Sequence, residues 1–247
     1  MRPLLTLSAG IMTTIADHLQ TVRQRIASAC VASGRDPSSV GLLAVSKAQD
    51  AAALAQAFAA GQCHFGENYV AEALVKIETL ADRRSELVWH FIGPLQANKT
   101  RAVAEHFDWV HSVDRLRVAQ RLSEQRPDHL PPLQICLQVN ISAEDSKSGV
   151  APADTLALAR AVSALPRLRL RGLMAIPAPA EGEAAQRRPL ASLRALRDDL
   201  QDQLGAEGLA LDTLSMGMSA DLEAAVAEGA TWLRIGTAIF GSRPTRP

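Results

Sequence analysis

The sequence predicts a single (β/α)8 TIM barrel with an extra helix in front of the first strand. Short apolar runs alternate with helical segments along the chain, a pattern that is typical of a parallel sheet. Eight such strand–helix units fit within the 247 residues, and a closed barrel typically takes about 250 residues. Eight units at this length favour a closed barrel over an open doubly wound sheet.

The first helix is predicted to be capped by Thr13 or Thr14 and to run to about Ser33, because apolar residues recur there every three or four positions. The strands are predicted at 41–46, 63–65, 87–92, 109–111, 133–140, 168–176, 211–215 and 231–235. The later helices are predicted over about 50–60, 70–82, 97–106, 115–126, 153–164, 186–204 and 220–228, with a further short helix from Thr237. Strands 2 and 4 carry the weakest pattern, and an open sheet becomes the alternative if either is absent.

The composition excludes several classes of function. The 26 basic side chains are balanced by 26 acidic ones, which gives no reason to expect nucleic acid or an anionic membrane as a partner. Cys30, Cys63 and Cys136 form no CxxC or Cys/His pattern, so we expect reduced thiols, no metal site and a cytoplasmic protein. No apolar stretch approaches the roughly 20 residues of a membrane span.

Residues 1–11 carry no convincing signal-peptide cleavage site. We expect them to form a disordered extension, followed by a single domain over 12–247 that acts as a monomer.

Polar residues are concentrated just after the predicted strands, and in a barrel these positions share one rim, where active sites are found. The candidates are Lys47, Glu67, Asn68, His90, Asn140, Ser142, Ser215, Ser219, Arg234, Gly236 and Thr237.

Lys47 directly follows the apolar run at 42–46. Partial desolvation at the end of a buried strand lowers the pKa of an amine and makes it a better nucleophile for a carbonyl. The alternative is that Lys47 only begins a solvated loop.

The loops after strands 7 and 8 resemble an anion cradle. Ser219 is placed to cap the helix at 220–228, Gly236 lets the backbone approach an anion, and Thr237 adds a hydroxyl at another helix start. The alternative is that Ser219 is only a cap and Gly236 only a turn residue.

Arg234 lies near the end of strand 8, and a buried arginine needs a partner. That partner is either a carboxylate, Glu67 or Asp221, or the ring nitrogen or carboxylate of a ligand. A reactive lysine, a phosphate cradle and a ring-facing arginine suggest a phosphorylated aldehyde held as a Schiff base, a description that pyridoxal 5′-phosphate fits. An arginine beside the pyridine nitrogen keeps that nitrogen unprotonated and weakens the ring as an electron sink.

Longer stretches carry a family resemblance. They are LLAVSK (42–47), HFGENYV (64–70), WHFIGPLQANKTR (89–101), QVNIS (138–142) with EDSKSGV (144–150), GLMAIP (172–177), LSMGMSADLEAAVAEGAT (214–231) and RIGTAIFG (234–241). In these stretches the sequence resembles the pyridoxal phosphate homeostasis proteins, the YggS/PROSC family, over nearly all of the chain.

The resemblance implies a fold like the N-terminal barrel of alanine racemase, with the Schiff base on Lys47. It implies phosphate contacts from Ser219, Gly236 and Thr237, and places Arg234 near the pyridine nitrogen. Asn68, His90 and Ser215 are implied as further cofactor-binding residues. It also implies a regulator that holds pyridoxal phosphate and passes it to apo-enzymes that depend on it.

The residues themselves argue against a robust enzyme. A racemase needs two bases, one on each face of the substrate carbon, and the sole tyrosine, Tyr69, stands at a helix start where a packing or rim role is expected. The chain also ends directly after the barrel, where alanine racemases continue into a second domain. The alternatives are a low-activity racemase or lyase that uses pyridoxal phosphate, and an enzyme like a class I aldolase that uses Lys47 alone.

Overall fold

The computed structural model describes residues 13–142, 148–205 and 211–241. The strands are β1 (Gly41–Val45), β2 (His64–Glu67), β3 (Val88–Phe91), β4 (Trp109–Val113), β5 (Leu133–Gln138), β6 (Leu168–Met174), β7 (Thr213–Ser215) and β8 (Trp232–Ile235). Each strand pairs in parallel with the next, and β1 pairs with β8. The predicted closed barrel is therefore confirmed.

Helices surround the barrel within the described ranges. They are α1 (Ile15–Ala32), α2 (Ala51–Ala59), α3 (Val70–Thr79), α4 (Thr100–His106), α5 (Leu116–Gln125), α6 (Thr155–Ser163), α7 (Glu183–Gly205), α8 (Leu222–Ala227) and α9 (Thr237–Phe240). The expectation of a disordered segment at 1–11 falls outside the described residues and stays a prediction.

The extra N-terminal helix, α1, is confirmed and has a clear start. Thr14 Oγ1 accepts a hydrogen bond of 3.2 Å from the Asp17 N–H, while the Asp17 carboxylate accepts one of 2.8 Å from the Thr14 N–H. This reciprocal capping box satisfies two N–H groups that a helix otherwise leaves unpaired. Helix α1 packs against α2, α8 and α9, so it completes the outer ring where α9 is only four residues long.

Strands β2 and β4, the weakest by pattern, are both present and are longer than predicted. Glu67 belongs to β2, where it is fully buried, and is not in the loop that follows. Gly66, Glu67 and Ser112 lie in these strands and interrupt the hydrophobic pattern, so the predicted strands ended too early.

Two apolar clusters form the core. The larger one lies between the outer faces of the strands and the apolar faces of the helices. A smaller one joins Trp109, Cys136 and Met174. The N-terminal end of the barrel carries the rings of Trp232 and His64, whose centroids are 4.7 Å apart. The barrel is thus a packed core and not a pore, and open space remains at the other rim.

Among the described residues, no helix is both long enough and apolar enough to cross a membrane. The cysteines are free, with Cys30 and Cys136 buried and Cys63 half-buried. No group of three or more metal-ligating side chains occurs within the described ranges.

Candidate functional site

A cavity of about 280 Å³ opens at the rim formed by the C-terminal ends of the strands. This volume is close to the lower end of ligand pockets, at about 300 Å³, and suits a small ligand. Six of the predicted site residues line it: Lys47, Asn68, Ser219, Arg234, Gly236 and Thr237. The remaining lining residues are Val45, Gln49, Ile92, Ile176, Met218, Ala220 and Gly241.

The backbone on either side of Lys47 is fixed by the buried Lys76 and the half-buried Glu72. The Ser46 carbonyl accepts a 2.7 Å hydrogen bond from Lys76 Nζ, and the Ala48 N–H donates one of 2.6 Å to Glu72 Oε1. Ala48 has φ of 63°, a left-handed conformation that costs a side-chain-bearing residue about 1–2 kcal/mol. The segment that carries Lys47 is therefore held in one strained shape.

Lys76 is the centre of this cluster and is only 3 % exposed. Its ammonium group also lies 2.7 Å from Glu67 Oε1 and 2.6 Å from Glu72 Oε1, and Ser46 Oγ donates to the same Glu67 oxygen at 2.6 Å. Burial raises the pKa of Glu67, and the neighbouring Lys76 charge opposes that rise. We call Lys76, Glu67 and Glu72 the lysine cluster; sequence reasoning missed it.

The predicted anion cradle takes shape at the loops after β7 and β8. The backbone N–H groups of Ser219, Ala220, Gly236 and Thr237 make no hydrogen bond to any described residue. Unpaired N–H groups gathered in one concavity attract an anion. The four N–H groups border the cavity together, and phosphate binding by them stays a prediction.

The prediction that Ser219 caps a helix at 220–228 is wrong. Helix α8 begins at Leu222 after Asp221, and no side chain caps it. Asp221 Oδ1 instead accepts a 2.6 Å hydrogen bond from the Met218 N–H, because the loop turns back on itself before the helix starts. The carboxylate therefore fixes the loop that carries Ser219.

Gly217 lets this loop lie tightly against the barrel. Its φ is 91°, and an added Cβ would stand 2.4 Å from the Ala225 Cβ and 2.7 Å from Leu233 Cδ2. Its carbonyl accepts a 3.0 Å hydrogen bond from the Arg234 N–H. The cradle is thus tied to the strand that carries the arginine.

Arg234 is 5 % exposed and lines the cavity. Its Nη1 donates to Ser215 Oγ and its Nη2 to the Ala175 carbonyl, both at 2.8 Å. Neither carboxylate considered as a partner makes an ion pair with it: Glu67 pairs with Lys76, and Asp221 accepts a hydrogen bond from the Met218 N–H. Burial lowers the pKa of Arg234 to about 10, so the guanidinium stays charged at neutral pH.

Asn68 stands beside the cavity directly after β2. Its Oδ1 is buried and has no hydrogen-bond partner among the described residues. Gly93 lets the Asn68 backbone approach closely, because a Cβ at residue 93 would lie 2.3 Å from the Asn68 carbonyl oxygen. An unsatisfied buried acceptor at a cavity wall fits a ligand that donates a hydrogen bond.

His90 and Ser215 do not line the cavity; both are fully buried beneath it. Ser215 contacts Arg234 directly, and His90 is linked to Ser215 through His111. A direct ligand contact from either residue stays a prediction, and the geometry connects both to the site through Arg234.

Titratable groups are scarce at the cavity wall. Among its described lining residues, Lys47 and Arg234 are the ones that carry an ionisable side chain. Tyr69 is 60 % exposed and is not one of the lining residues. The site thus offers one amine, one fixed cation and a set of N–H donors.

This combination of a (β/α)8 barrel and a rim cavity with a lysine matches a known class. The family model for the alanine racemase N-terminal domain matches residues 14–244. Alanine racemase from Corynebacterium glutamicum has the same fold, with a TM-score of 0.66 at 16% identity over 94% of this chain and 61% of that one.

Closer relatives define the family. A pyridoxal phosphate homeostasis protein of Pseudomonas aeruginosa is 63% identical over 232 residues, 94% of this chain and 97% of that protein. The Escherichia coli K12 protein of the same name is 53% identical over 94% of this chain and 98% of its own length. PipY of Synechococcus elongatus, solved with PLP bound, has a TM-score of 0.80 at 42% identity, covering 92% of this chain and 100% of that one. The chain belongs to the pyridoxal phosphate homeostasis protein family.

Proposed function

We propose that this chain holds pyridoxal 5′-phosphate in the rim cavity, passes it to apo-enzymes that depend on it, and is not itself a robust enzyme. One observation carries the proposal: Lys47, Arg234 and the unpaired N–H groups of two loops all border the same small cavity. When bound, this cofactor supplies an aldehyde that condenses with a primary amine, and a phosphate group that needs donors. The residues present fit both requirements.

Each residue has a defined task in this proposal. The N–H groups of Ser219, Ala220, Gly236 and Thr237 bind the phosphate, because they have no competing acceptor among the described residues. Lys47 supplies the amine for a covalent link, and the lysine cluster holds its backbone. Arg234 faces the pyridine nitrogen as a hydrogen-bond donor that keeps its own proton, and Asn68 Oδ1 accepts a hydrogen bond from the ligand.

The scarcity of bases supports a role without robust catalysis. Racemisation needs a proton acceptor on one face of the substrate and a donor on the other. Among the described lining residues, Lys47 is the only candidate base, since Arg234 keeps its proton. The related proteins of Pseudomonas aeruginosa and Escherichia coli carry a homeostasis name and not an enzyme name. We propose that the chain acts as a monomer.

The absorption spectrum of the purified protein with added pyridoxal phosphate tests the binding proposal. We expect a visible band, and we expect borohydride to leave the cofactor covalently attached to a peptide containing Lys47. Lys47→Ala should abolish both signals. Lys99→Ala, a change at an exposed lysine, is the matched control and should leave both unchanged.

Two further measurements test recognition of the phosphate and transfer of the cofactor. Pyridoxal without its phosphate should bind at least tenfold more weakly, since it lacks the group that the cradle recognises. Cofactor-loaded protein should restore activity to an apo-enzyme in trans. A missing band in the wild-type protein would refute the binding proposal, and steady turnover of either enantiomer of an amino acid would establish the enzyme alternative.

A further inference from the structure

A continuous chain of hydrogen-bonded side chains crosses the barrel interior below Arg234. Ser215 Oγ lies 2.7 Å from His111 Nδ1, and His111 Nε2 lies 2.9 Å from His90 Nδ1. His90 Nε2 lies 3.0 Å from His64 Nδ1. We call Ser215, His111, His90 and His64 the histidine relay.

The relay runs from one end of the barrel to the other. Ser215 is the last residue of β7, next to the cavity, whereas His64 is the first residue of β2. His90 and His111 are fully buried, and His64 is half-buried beside the ring of Trp232. The relay thus connects the arginine at the cavity with the opposite face of the barrel.

Stability alone does not explain this arrangement. Barrel interiors are usually filled by branched aliphatic side chains, and a buried polar pair is worth little more than apolar groups of the same shape. Three imidazoles cost desolvation that leucine or valine would avoid. A polar chain that ends at a ligand-facing arginine points to a role at the site.

The direction of every hydrogen bond in the relay follows from Arg234. A guanidinium only donates, so Ser215 Oγ must accept from Arg234 Nη1. The serine proton is then donated to His111 Nδ1, because the opposite arrangement would leave that proton without an acceptor among the described residues. His111 consequently carries its proton on Nε2.

The same reasoning passes along the chain. His111 Nε2–H donates to His90 Nδ1, and His90 Nε2–H donates to His64 Nδ1. This requires three neutral rings, and burial lowers the pKa of all three, that of His111 to about 3. All three histidines are therefore expected as the Nε2–H tautomer, with every donor directed away from the arginine.

We propose that the histidine relay is a positioning device for Arg234, which fixes the Ser215 hydroxyl as an acceptor and so holds the guanidinium in its ligand-facing orientation. The proposal rests on the proposed function for its ligand, the pyridine ring of pyridoxal phosphate. His111, His90 and Ser215 are positioning residues, since they act on the ligand through Arg234.

The first test measures the tautomers in the protein without cofactor, so it does not depend on cofactor binding. Nitrogen-15 NMR of labelled histidines should show His64, His90 and His111 with the proton on Nε2. In Arg234→Met the cation that imposes the direction is gone, and His111 should populate both tautomers. A wild-type His111 with its proton on Nδ1 would overturn the proposal, whereas tautomers that are unchanged in Arg234→Met would refute only the inference that the arginine sets the direction.

The second test measures cofactor affinity and the position of the absorption band. His111→Leu removes the acceptor of the Ser215 proton and should weaken pyridoxal phosphate binding about tenfold, the effect of one buried hydrogen bond, with a shifted band. His111→Asn keeps an acceptor oxygen near the position of Nδ1 and should stay within about twofold of wild type. The matched control is His129→Leu at an exposed histidine, which should change nothing.

Ser215→Ala keeps the test decisive if His111→Leu does not fold, because it deletes a single oxygen. It should lose about tenfold in affinity, and Ser215→Thr should restore most of it. The positioning role would be refuted if His111→Leu, His111→Asn and Ser215→Ala all bound pyridoxal phosphate with the same affinity as one another. Failure of wild-type protein to bind pyridoxal phosphate would refute the proposed function and leave the tautomer result to decide the direction of the relay.

Discussion

Replacing Lys76 by methionine tests whether the lysine cluster holds the backbone around Lys47. The change removes the ammonium group that bonds Glu67, Glu72 and the Ser46 carbonyl at 2.6–2.7 Å. Methionine keeps the apolar stem, so packing changes little. The stability that is lost therefore comes from the ion pairs and hydrogen bonds of Lys76. Most of this loss arises at Glu67, which is fully buried and is left without its cation.

The size of the effect follows from the carboxyl group left behind. An unpaired buried Glu67 takes up a proton, and with an ordinary pKa of 4.5 this costs at most about 3.4 kcal/mol at pH 7 and about 1.4 kcal/mol at pH 5.5. The lost hydrogen bond to the Ser46 carbonyl adds about 1 kcal/mol at either pH. We expect a loss of about 4 kcal/mol at pH 7 and about 2 kcal/mol at pH 5.5, within the range for a broken buried ion pair.

Urea unfolding at the two pH values measures these losses. The double variant Glu67→Gln with Lys76→Met removes the carboxylate as well and should recover stability at pH 7, with no pH dependence from this site. Lys99→Met at an exposed lysine is the control and should change the free energy of unfolding by no more than about 0.5 kcal/mol. Equal losses at both pH values, or a double variant as unstable as the single one, would refute the reasoning.

Three further predictions concern the relay, the cradle and Tyr69. The pKa of His111 is about 3 in the folded protein against an ordinary value of 6.5, so the unfolded chain binds more protons between these values and stability falls as the pH drops; at pH 5 the cost is about 2 kcal/mol. His111→Asn should lose about 2 kcal/mol less than wild type between pH 7 and pH 5 in urea unfolding, and equal slopes would contradict this. Gly217→Ala should cost about 3 kcal/mol, from a left-handed φ plus contact with Ala225 and Leu233, and should weaken phosphate binding. Gly182→Ala, whose φ is 82° in open space, should show only the backbone part, about 1 kcal/mol, and a similar loss for both variants would argue against the contacts. Tyr69→Phe should leave cofactor affinity unchanged in a spectral titration, since Tyr69 is exposed and outside the cavity lining; a clear loss of affinity would place it in the site.

The fold was predictable because apolar periodicity records burial. Runs such as 41–46 and 231–235 are buried on both sides, so their pattern places them within a residue or two of the observed strands. The short helix from Thr237 was also predicted and is present. Strands β2 and β4 were predicted too short, because Gly66, Glu67 and Ser112 interrupt the hydrophobic pattern although they lie in the strands.

The cavity wall was largely predictable, and its supports were not. Residues that follow strands converge on one rim by topology alone, which is why Lys47 and Gly236 could be placed together. Gln49 was missed, because it lines the cavity from beyond the strand end, after the left-handed turn at Ala48. The position of Lys76 in the sequence could have indicated the lysine cluster. Lys76 follows Ala73 by three positions on the buried face of α3, where a lysine needs a partner.

The histidine relay also left a trace in the sequence, with one histidine on each of three successive strands. Hydrophobicity patterns do not report which inward-facing polar groups meet across a barrel. Which of these groups meet depends on the pairing register of the strands, for example His90 opposite Trp109. Direction depends further on Arg234, which is more than a hundred residues away in sequence.

The histidine relay, together with Arg234, also bears on how the chain avoids misfolding. The histidines come from β2, β3 and β4, whereas the serine and arginine come from β7 and β8. If a strand slips by one residue, every side chain turns to the other face. The imidazole nitrogens would then lie among apolar groups without hydrogen-bond partners. A half-barrel of the first four strands would leave His111 Nδ1 without the Ser215 hydroxyl. Only a correctly registered and closed barrel brings all of these groups together, which penalises off-register pairing and makes ring closure cooperative.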